Sequence, residues 1–575
     1  MKIETIRHSL SHIMALSVLN IYPKAKLGIG PAIENGFYYD FELPKDFSEK
    51  DLPKIEKRIK EIIKENVSFK KKNISKIAAR KIFKNQPYKL DLIKDLPGKN
   101  VSIYESGAFV DLCKGPHIKS AKEINPDAFK LTKVAGAYWK GSEKNPMLSR
   151  IYGLAFETKK ELDEYVKMQE EAEKRDHRIL GKKLDLFCFS ELVGPGLPLF
   201  TAKGTAIKEE LQKEVERICR NYGFEKVSTP HLAKIDLYEI SGHAKKFSEE
   251  LFHVSSKKGH KFVMKPVQCP HQTQIYASKP RSYRDLPIRY MESEKQYRAE
   301  KPGEIGGLTR VYAITVEDGH TFCTQEQVKK EIKTLVEIIK DFYSSIGLWG
   351  NHWVSLSTRG KDFSKYIGEK KDWNLCEKIL EEVSSEMNLN AKKHPGEAAL
   401  YGPKLDFMFK DALGKEVQIP TVQIDFATPK RFNLTYTDKD GKERNPVMVH
   451  RAILGSYERF LALIIEHFAG AFPLWLSPVQ VKIINVGSNH EEYVKETCKK
   501  LLKNNIRAES STENLTVGKK IREAEMQKIP YTLVVGDKEI SESSVSIRKR
   551  GEKNIFSMSL DEFIKKVKIE IENKK

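Results

Sequence analysis

Two arginines and a glutamate that could grip a nucleotide lie in one short stretch, residues 297–323 (YRAEKPGEIGGLTRVYAITVEDGHTFC). Apolar alternation in its second half and a Gly/Pro-containing middle predict two strands joined by a long loop. The planar guanidinium groups of Arg298 and Arg310 suit phosphate, and Glu300 can accept a hydrogen bond from an adenine amino group. A solvated hairpin with ordinary surface charges explains this stretch, taken alone, equally well.

The second arm of the same hairpin carries Glu317, Asp318 and His320. Asp318 and His320 are two residues apart, so a strand places them on one face. There they could hold a substrate amine or a metal ion.

The run AILGSYERFLALIIEHF at 452–468 is apolar enough to predict a buried helix. Three- and four-residue spacing would place four of its residues on one helical face: Ala452, Gly455, Ser456 and Arg459. Small residues beside one arginine leave room for a flat ligand under the guanidinium.

A third stretch, EVQIPTVQIDFA at 416–427, alternates polar and apolar residues as a strand with two different faces does. The polar residues come first in this list and the apolar ones second: Thr421, Gln423 and Asp425; Val422, Ile424 and Phe426. Together with the hairpin and the 452–468 run, this strand predicts an active-site sheet with an inward polar row.

Metal-binding residue types recur near the N-terminus. An amphipathic helix is predicted at 4–21, and His8 and His12 lie one turn apart on it. Cys113 and His117 flank a Gly-Pro turn in DLCKGPH. Two spaced pairs of this kind form a ligand set that suits zinc, while lone histidines are more often structural.

Charge and length point to a large nucleic-acid-binding protein. The 575 residues favour several domains. The net charge is +21, from 100 Lys and Arg against 79 Asp and Glu, which favours a polyanionic partner such as nucleic acid. A lysine-rich proteome is the alternative explanation of this excess.

The seven cysteines are scattered without a paired framework, which favours reduced thiols and a cytoplasmic location. The N-terminus lacks an apolar signal core, and the most apolar region, 460–476, is interrupted by Glu466 and His467, so no membrane span is predicted. No GxxxxGK[ST] phosphate loop is present, so an ATP site must be of another kind.

Several runs resemble a known family. Arg298-x-Glu300, the GSYER segment at 455–459 and KVSTPHLAKIDLYEISGH around Pro230 look like the three motifs of class II aminoacyl-tRNA synthetases. Further runs narrow the resemblance to the threonyl-tRNA synthetases: MKPVQCP (264–270), YGPKLDF (401–407), TVQIDF (421–426), HRAILGSYERF (450–460) and KRDHRILGKKLDLF (174–187). The match covers nearly the whole chain, which begins where the editing domain of that family usually starts, without the small additional N-terminal domain that the family often carries.

The resemblance implies a multidomain protein of the α/β and α+β type. We expect an α/β editing domain at 1–155, a connecting helix at 156–184, a class II catalytic domain with an antiparallel sheet at 185–473, and an α/β anticodon-binding domain at 477–575. The residues themselves support the second and fourth of these expectations in part, because 156–184 is charged and helical, and 479–575 alternates strand and helix in a way that predicts a mostly parallel sheet.

The implied activity is the ATP-dependent joining of L-threonine to tRNA(Thr), with hydrolysis of mischarged Ser-tRNA(Thr) at the N-terminal site. A homodimer formed through the Pro230 segment is also implied. The resemblance groups Cys269, His320 and His450 as the ligands of one zinc ion per subunit, although each alone is more typical of a structural residue. Three protein ligands leave positions open for the amino and hydroxyl groups of threonine, which valine cannot match and serine can, so that serine requires editing.

The family pattern assigns the remaining roles. Arg298 would hold the α-phosphate, Arg310 the outer phosphates, and Arg459 would lie over an adenine whose amino group donates to Glu300; Arg298 and Arg459 are the catalytic pair. Magnesium would bridge the phosphates. Further ATP-binding residues would be Gln418 and Thr421, and further substrate-binding residues Asp318, Tyr401, Lys404 and Gln423.

For the N-terminal His/Cys group the resemblance offers an editing site that positions water without requiring a metal. Its implied members are His8, His12, Tyr39, Lys89, Asp111, Cys113 and His117. In the C-terminal domain the positions that match anticodon contacts are Asn514, Glu539 and Arg548, the last within a basic cluster formed with Lys549 and Arg550.

The sequence departs from the family pattern at a few positions. Tyr312, Ile314 and Val316 replace more usual residues on the hairpin, and Pro270-His271-Gln272 stands where Pro-Gly-His is common. These changes bear on adenine stacking and threonine contact, and His271 adds an extra potential ligand beside Cys269.

Three other hypotheses compete with this interpretation. A related seryl or prolyl synthetase lacks support from the zinc set and the N-terminal His/Cys pairs. An RNA-binding regulator derived from a synthetase predicts loss of the motif arginines, yet Arg298 and Arg459 are present. A metallohydrolase centred on the N-terminal His/Cys group explains only the first part of the chain.

Overall fold

The structure, a computed structural model, describes residues 2–350, 352–411, 414 and 416–574. The chain divides into two compact units, Met1–Glu171 and Ala172–Lys575. Within the described ranges, no helix combines the length and the hydrophobicity that a membrane crossing requires.

The first unit contains five α-helices and eight strands among its described residues, and the last α-helix runs across the boundary between the units. The helices are α1 (Lys2–Ile21), α2 (Leu52–Glu65), α3 (Lys76–Ile82), α4 (Pro87–Asp95) and α5 (Lys159–Arg175). The strands are β1 (Lys26–Leu27), β2 (Ala32–Ile33), β3 (Gly36–Glu42), β4 (Phe69–Ser75), β5 (Asn100–Ser106), β6 (Phe109–Leu112), β7 (Phe129–Tyr138) and β8 (Met147–Ala155).

Two antiparallel sheets organise this unit. One has the order β1-β3-β8-β7, with β2 paired to β3, and the other has the order β4-β5-β6. Helix α2 shows why helices cover the larger sheet: Ile55, Ile59 and Ile62 recur at helical spacing and are fully buried, while the lysines between them face outward. Helix α1 confirms the predicted N-terminal helix and starts two residues earlier.

The second unit begins with the elements that build the central sheet. Its helices up to residue 473 are α6 (His177–Lys183), α7 (Ala202–Asn221), α8 (Ile235–Ser241), α9 (His243–Lys246), α10 (Cys269–Ala277), α11 (Val328–Ser345), α12 (Lys370–Glu386), α13 (Ala427–Arg431) and α14 (Tyr457–His467). Its strands are β9 (Phe187–Cys188), β10 (Leu199–Phe200), β11 (Glu225–Lys226), β12 (Leu232–Ala233), β13 (His253–Ser255), β14 (Lys261–Met264), β15 (Ile288–Tyr297), β16 (Ala313–Cys323), β17 (His352–Thr358), β18 (Lys392–Pro395), β19 (Lys404–Lys410), β20 (Glu416–Asp425), β21 (Tyr436–Thr437), β22 (Glu443–Arg444) and β23 (Val447–Ser456).

Eight of these strands form one sheet in the order β11-β15-β16-β23-β20-β19-β17-β18. The six inner strands pair antiparallel throughout, which confirms the predicted antiparallel catalytic core. Apolar residues of its strands, such as Val422, Ile424 and Val449, are fully buried in one core with residues of α7, α11 and α14. The alternation along the strands therefore leaves the opposite face for polar side chains.

The apolar run at 452–468 is not one helix, as predicted, but a strand end followed by a helix. Residues 452–456 complete β23, and α14 begins only at Tyr457. Gly455 has a φ of +65°, and the Ser456 hydroxyl caps α14 by accepting a hydrogen bond from the Arg459 backbone N–H at 3.2 Å. Ala452, Gly455 and Ser456 therefore share no helical face with Arg459.

Two further expectations need correction. The sequence around MKPVQCP predicts a strand that ends at Cys269, but β14 ends at Met264 and Cys269 begins α10, with Pro270 in the first turn, where a missing N–H costs nothing. The first arm of the hairpin lies mostly before the predicted stretch, because β15 starts at Ile288 and ends at Tyr297. The long loop that follows, at 298–312, is confirmed.

The last part of the second unit is a five-stranded sheet with helices. Its strands are β24 (Val481–Asn485), β25 (Ala508–Ser511), β26 (Tyr531–Val535), β27 (Ser544–Lys549) and β28 (Ile555–Ser559), and its helices are α15 (Glu491–Lys503), α16 (Val517–Met526), α17 (Asp537–Ser541) and α18 (Leu560–Glu572). The order is β25-β24-β26-β27-β28, with two parallel and two antiparallel pairings. The prediction of a mostly parallel sheet was wrong, because β26, β27 and β28 pair antiparallel.

Candidate functional site

The polar face of the eight-stranded sheet brings Cys269, His320 and His450 together. One ligand atom from each of the three buried side chains lies within 4.8 Å of the other two. Strands β16 and β23 pair so that His320 stands directly opposite His450, and their rings meet edge to face at 4.7 Å. The first residue of α10 adds the thiol. Sequence-distant residues thus become one cluster through strand register.

Each histidine of this cluster has an outer partner that fixes its ring. His320 Nδ1 lies 2.7 Å from Gln272 Oε1, and His450 Nε2 lies 3.0 Å from Asp425 Oδ2. The Gln272 amide is itself oriented by a 3.3 Å hydrogen bond from its Nε2 to Glu292 Oε2. The carbonyl and carboxylate acceptors leave the other nitrogens, His320 Nε2 and His450 Nδ1, facing each other at 3.0 Å.

This donor set fits a zinc ion. One sulfur and two imidazole nitrogens are ligands that zinc prefers, and three protein ligands leave a position open. A metal-bound histidine usually donates its second N–H to a carboxylate or carbonyl, which is the arrangement that Gln272 and Asp425 provide. Gln272, one of the departures from the family pattern, is thereby given a place in the site.

Two further polar residues, Asp318 and His271, lie close to the ligand residues. Asp318 Oδ1 is 3.9 Å from His320 Nε2, and burial raises the pKa of this carboxyl to about 7. His271 is buried with no hydrogen-bond partner on either ring nitrogen and is absent from the Cys269 cluster, as far as the described residues show. Burial lowers the pKa of His271 to about 4, which keeps its ring neutral.

A cavity of about 250 Å³ adjoins the cluster. Tyr401 forms one wall, with its ring stacked on His450 at 4.5 Å and its hydroxyl donating to Gln423 Oε1 at 2.8 Å. Arg298 and His243 also line the cavity. Its size and its mixed apolar and charged walls suit a small amino acid with a negatively charged group at the Arg298 side.

Asp406, which the sequence interpretation did not select, holds three residues predicted to contact ATP or the substrate. This carboxylate is buried and accepts from Gln418 Nε2 at 2.7 Å and Thr421 Oγ1 at 2.8 Å, while Lys404 Nζ lies 2.8 Å away. A charged residue at an inward position of the YGPKLDF strand is the signal that could have identified it. Three of the predicted residues are therefore held by one acceptor.

The three predicted arginines converge near the 298–312 loop. Burial lowers the pKa of Arg459, and the nearby charges of Arg298 and Arg310 lower it further. Arg459 Nε donates to the carbonyl of Thr309 at 3.3 Å. Arg310 forms an ion pair with Glu300, at 2.7 Å between Nη2 and Oε2. Mutually repelling guanidinium groups form a site for a polyanion.

The first unit brings together all the predicted members of the N-terminal His/Cys group. Cys113 Sγ lies 3.3 Å from His8 Nε2 and 3.3 Å from His117 Nε2. The Ser9 hydroxyl contacts His117 Nδ1 at 3.1 Å, and the His12 ring packs against His117 with centroids 4.2 Å apart. The spacing on α1 and the DLCKGPH turn position this cluster.

The buried carboxylate of Asp111 lies next to the same cluster. Asp111 accepts a 2.6 Å hydrogen bond from the Tyr39 hydroxyl, pairs with Lys89, and lies 3.6 Å from His12 Nε2. Lys89 Nζ also donates to the Tyr39 hydroxyl at 2.9 Å. Lysine, carboxylate and phenol therefore compensate one another inside the unit.

Burial keeps the polar groups of this cluster neutral. It lowers the pKa of His12 well below its usual range and the pKa of His117 to about 2, and it raises the pKa of the Cys113 thiol to about 11. A neutral thiol is a poor nucleophile, because attack requires the thiolate. The arrangement can instead bind and polarise water or an ester through neutral hydrogen-bonding groups.

The C-terminal candidates lie on the last sheet and its loops. Asn514 is exposed, Glu539 accepts from the Ser546 hydroxyl at 2.7 Å, and Arg548 lies 3.7 Å from Glu525. Arg550 does not belong to the basic cluster predicted around Arg548. Its guanidinium donates to backbone carbonyls, including that of Phe472 at 2.7 Å, so it holds the sheet in place.

Comparisons with known proteins were made for the whole chain. Three family models match: "Threonyl and Alanyl tRNA synthetase second additional domain" at 101–152, "tRNA synthetase class II core domain (G, H, P, S and T)" at 252–468, and "Anticodon binding domain" at 480–570. A threonine–tRNA ligase of Gloeobacter violaceus is 45% identical, over 98% of this chain and 91% of its own length. A threonine–tRNA ligase of Thermus thermophilus is 43% identical, over 97% of this chain and 87% of its own.

Solved structures agree with these relatives. The RNA binding domain of threonyl-tRNA synthetase from Cryptosporidium parvum is 34% identical with a TM-score of 0.65, covering 68% of this chain and 98% of its own. A prolyl-tRNA synthetase from the same organism shares only the fold, at 16% identity, a TM-score of 0.52, and coverage of 69% of this chain and 75% of its own. On this identity and coverage, the chain belongs to the threonyl-tRNA synthetase family of class II aminoacyl-tRNA synthetases.

Proposed function

We propose that this threonine–tRNA ligase selects its amino acid at a zinc ion held by Cys269, His320 and His450. The proposal rests on one observation: a thiol and two imidazoles lie together beside the cavity at Tyr401, and each imidazole is held by a hydrogen bond on its outer nitrogen. When bound, zinc would act as a Lewis acid that accepts the amino and hydroxyl groups of threonine. Asp318 would orient the threonine amino group, and Tyr401 with Gln423 would close the pocket around the side chain.

The proposed ATP-binding residues are mainly arginines. We assign the α-phosphate to Arg298, the outer phosphates to Arg310, and the adenine face to Arg459, with Glu300 accepting from the adenine amino group. Because Glu300 and Arg310 are paired with each other, ATP binding would exchange this ion pair for contacts with the base and the phosphates. Gln418 and Thr421 would complete the ATP contacts, and magnesium bound with ATP would neutralise part of the phosphate charge.

The chemistry requires positioning and charge stabilisation more than proton transfer. The threonine carboxylate attacks the α-phosphorus, the bond to the β-phosphate bridging oxygen breaks, and diphosphate leaves. Arg298 would stabilise the charge that builds on the α-phosphate during this step. A terminal ribose hydroxyl of tRNA then attacks the carbonyl of the mixed anhydride and releases AMP.

The other domains would divide the remaining work. We propose that residues 1–155 hydrolyse Ser-tRNA(Thr), with His8, His12, Cys113 and His117 around the ester and Asp111 behind them. The connecting helix at 156–184 would lead to the catalytic domain at 185–473. Residues 477–575 would bind the anticodon, with contacts from Asn514, Glu539 and Arg548.

We also propose a cytoplasmic homodimer that forms through the Pro230 segment. Leu232 and Ile240 support this face, since both are large apolar side chains that are 40% and 44% exposed in the single chain. Sedimentation analysis tests the proposal, because a monomer at micromolar concentration would contradict it.

Amino-acid-dependent exchange of diphosphate into ATP tests the proposed function. In zinc-loaded protein, we expect threonine to support exchange on the order of 10⁴-fold better than valine, because a site built around the hydroxyl rejects an analogue that lacks it. Serine should be intermediate. No exchange with threonine would favour the hypothesis of a regulator without ligase activity.

Removing the Gln272 carbonyl should weaken zinc binding. Gln272→Met keeps the length of the side chain but leaves His320 Nδ1 without its acceptor, so we expect about 10- to 100-fold lower zinc affinity. Competition with a chromophoric chelator measures the change. Gln274→Met, on the exposed side of the same helix, is the matched control; equal affinities for the two variants would show that Gln272 does not support the site.

A further inference from the structure

A buried histidine outside the proposed zinc and editing sites connects two elements of the nucleotide site. His177 begins α6 and is 5% exposed, and its ring nitrogens lie among the carboxylates of Asp176 and Glu466. Such a group of one imidazole and two carboxylates resembles a metal site. The hydrogen bonds of the His177 ring argue against a metal site.

Both ring nitrogens of His177 are engaged. The backbone N–H of Leu308 donates to His177 Nε2 at 3.1 Å. Because an amide N–H can only donate, Nε2 must carry no proton, so the proton is on Nδ1. Nδ1 donates to Glu466 Oε1 at 2.7 Å, and the same oxygen accepts from the His177 backbone N–H at 3.2 Å. No lone pair of the ring is left for a metal.

The two partners of this ring belong to the two elements that carry the proposed ATP contacts. Leu308 lies in the 298–312 loop, two residues before Arg310, and Glu466 lies on α14, the helix that begins beside Arg459. The contact with the loop is close: a Cβ added at Gly307 would lie 2.3 Å from His177 Nε2, and Gly307 has a φ of +51°. The loop backbone therefore rests directly on the ring.

A second bond from the same loop segment points to the same function. The carbonyl of Thr309, the residue after Leu308, accepts from Arg459 Nε at 3.3 Å. Leu308 itself is buried in the core shared with α14. The loop segment at 308–309 is thus held to α14 at two points, through Arg459 and through the His177–Glu466 pair.

We propose that His177 is a positioning residue for ATP, which locks the loop of Arg310 onto the helix of Arg459 so that both guanidinium groups are aligned before the nucleotide binds. The inference rests on the proposed function of those arginines. Holding the loop in its binding geometry removes an ordering cost that ATP would otherwise bear. The cavity proposed for threonine is lined neither by the loop tip nor by Glu466, so threonine binding should be insensitive to this residue.

Two substitutions by amide residues test the roles of the two ring nitrogens separately. The Asn side chain places its amide near the Nδ1 position, so His177→Asn keeps a donor for Glu466 and loses the acceptor for Leu308. The longer Gln side chain reaches the Nε2 position, so His177→Gln keeps an acceptor for Leu308. We expect His177→Asn to raise the KM for ATP about 10- to 100-fold, from the loss of a buried amide's partner, with the KM for threonine within about twofold of wild type. His177→Gln should restore most of the ATP affinity.

Hydrogen exchange supplies a readout that does not depend on activity. Peptides covering 302–312 should exchange faster in His177→Asn than in wild type or His177→Gln, whereas peptides from β16 should not change. His467→Asn, which alters an exposed histidine of α14, serves as the control and should match wild type in both assays.

The outcomes distinguish the inference from the proposed function. If wild-type protein catalyses no threonine-dependent exchange, the proposed function fails. If wild type is active and His177→Asn leaves the KM for ATP and the loop exchange unchanged, the inference on His177 is overturned. It is also overturned if Asn and Gln variants lose thermal stability and both KM values rise equally, since that result indicates a purely structural residue.

Discussion

Cys269→Ser should abolish zinc binding and reduce threonine-dependent exchange by about 10³-fold or more, since a Lewis acid supplies several kcal/mol to such a site and each 1.36 kcal/mol is tenfold. Serine keeps the size of the side chain but offers a hydroxyl that stays protonated and binds zinc poorly. His320 and His450 alone would supply only two ligands.

The matched control is Cys376→Ser. Cys376 is a buried thiol on α12 that is not one of the three clustered residues, and its loss should leave both the zinc content and the exchange rate near wild type. Metal analysis of the purified proteins and exchange assays with threonine give the two readouts. Full activity in a zinc-free Cys269→Ser protein would show that the three residues do not select the substrate.

His8→Ala combined with His12→Ala should slow the hydrolysis of Ser-tRNA(Thr) by about 10²- to 10⁴-fold, the usual contribution of positioned acid–base groups. The two rings approach Cys113 and Asp111, which hold the centre of the cluster. The proposed site of threonine activation belongs to the other unit, so activation should be unaffected. Deacylation of purified Ser-tRNA(Thr) and accumulation of that product during aminoacylation check the expectation.

A second substitution in the same assay tests the chemistry of the cluster. Because burial raises the pKa of the Cys113 thiol to about 11, the group is not a thiolate nucleophile, and Cys113→Ser should keep deacylation within about tenfold of wild type. Complete loss in Cys113→Ser would indicate covalent catalysis by sulfur. Cys269→Ser should show the reverse pattern, with normal deacylation and no activation.

Local patterns predicted much of the sheet that carries the site. The alternation at 416–427 correctly separated Thr421 and Gln423 from Val422 and Ile424, because side chains of a strand must alternate between its faces. The prediction of one helix over 452–468 was wrong for a physical reason: the run begins with three apolar residues that show neither a two-residue nor a 3.6-residue period, so strand and helix look alike there. Gly455 followed by Ser456 was the local signal for the change.

Long-range geometry could not be obtained in the same way. His320 and His450 are 130 residues apart and meet only because β16 and β23 pair in one register, which a slip of one residue would destroy. The family resemblance, not spacing, grouped them. Gln272, Glu292 and Asp406 were missed because their importance depends on the acceptors and donors that tertiary structure brings beside them.

The C-terminal sheet shows how connection length limits a prediction. Parallel strands need a crossover of a dozen or more residues, and eight residues separate Val535 from Ser544 while five separate Lys549 from Ile555. These short connections favour the antiparallel pairings that the structure has. The alternation of strand and helix alone suggested a mostly parallel sheet.

Anomalous diffraction at the zinc edge, from crystals soaked in threonine, tests the central claim most directly. We expect one peak per chain within bonding distance of Cys269 Sγ, His320 Nε2 and His450 Nδ1, with the amino and hydroxyl groups of threonine on the same ion. A peak elsewhere, or threonine bound in the Tyr401 cavity with no metal contact, would contradict selection of the amino acid by a zinc ion.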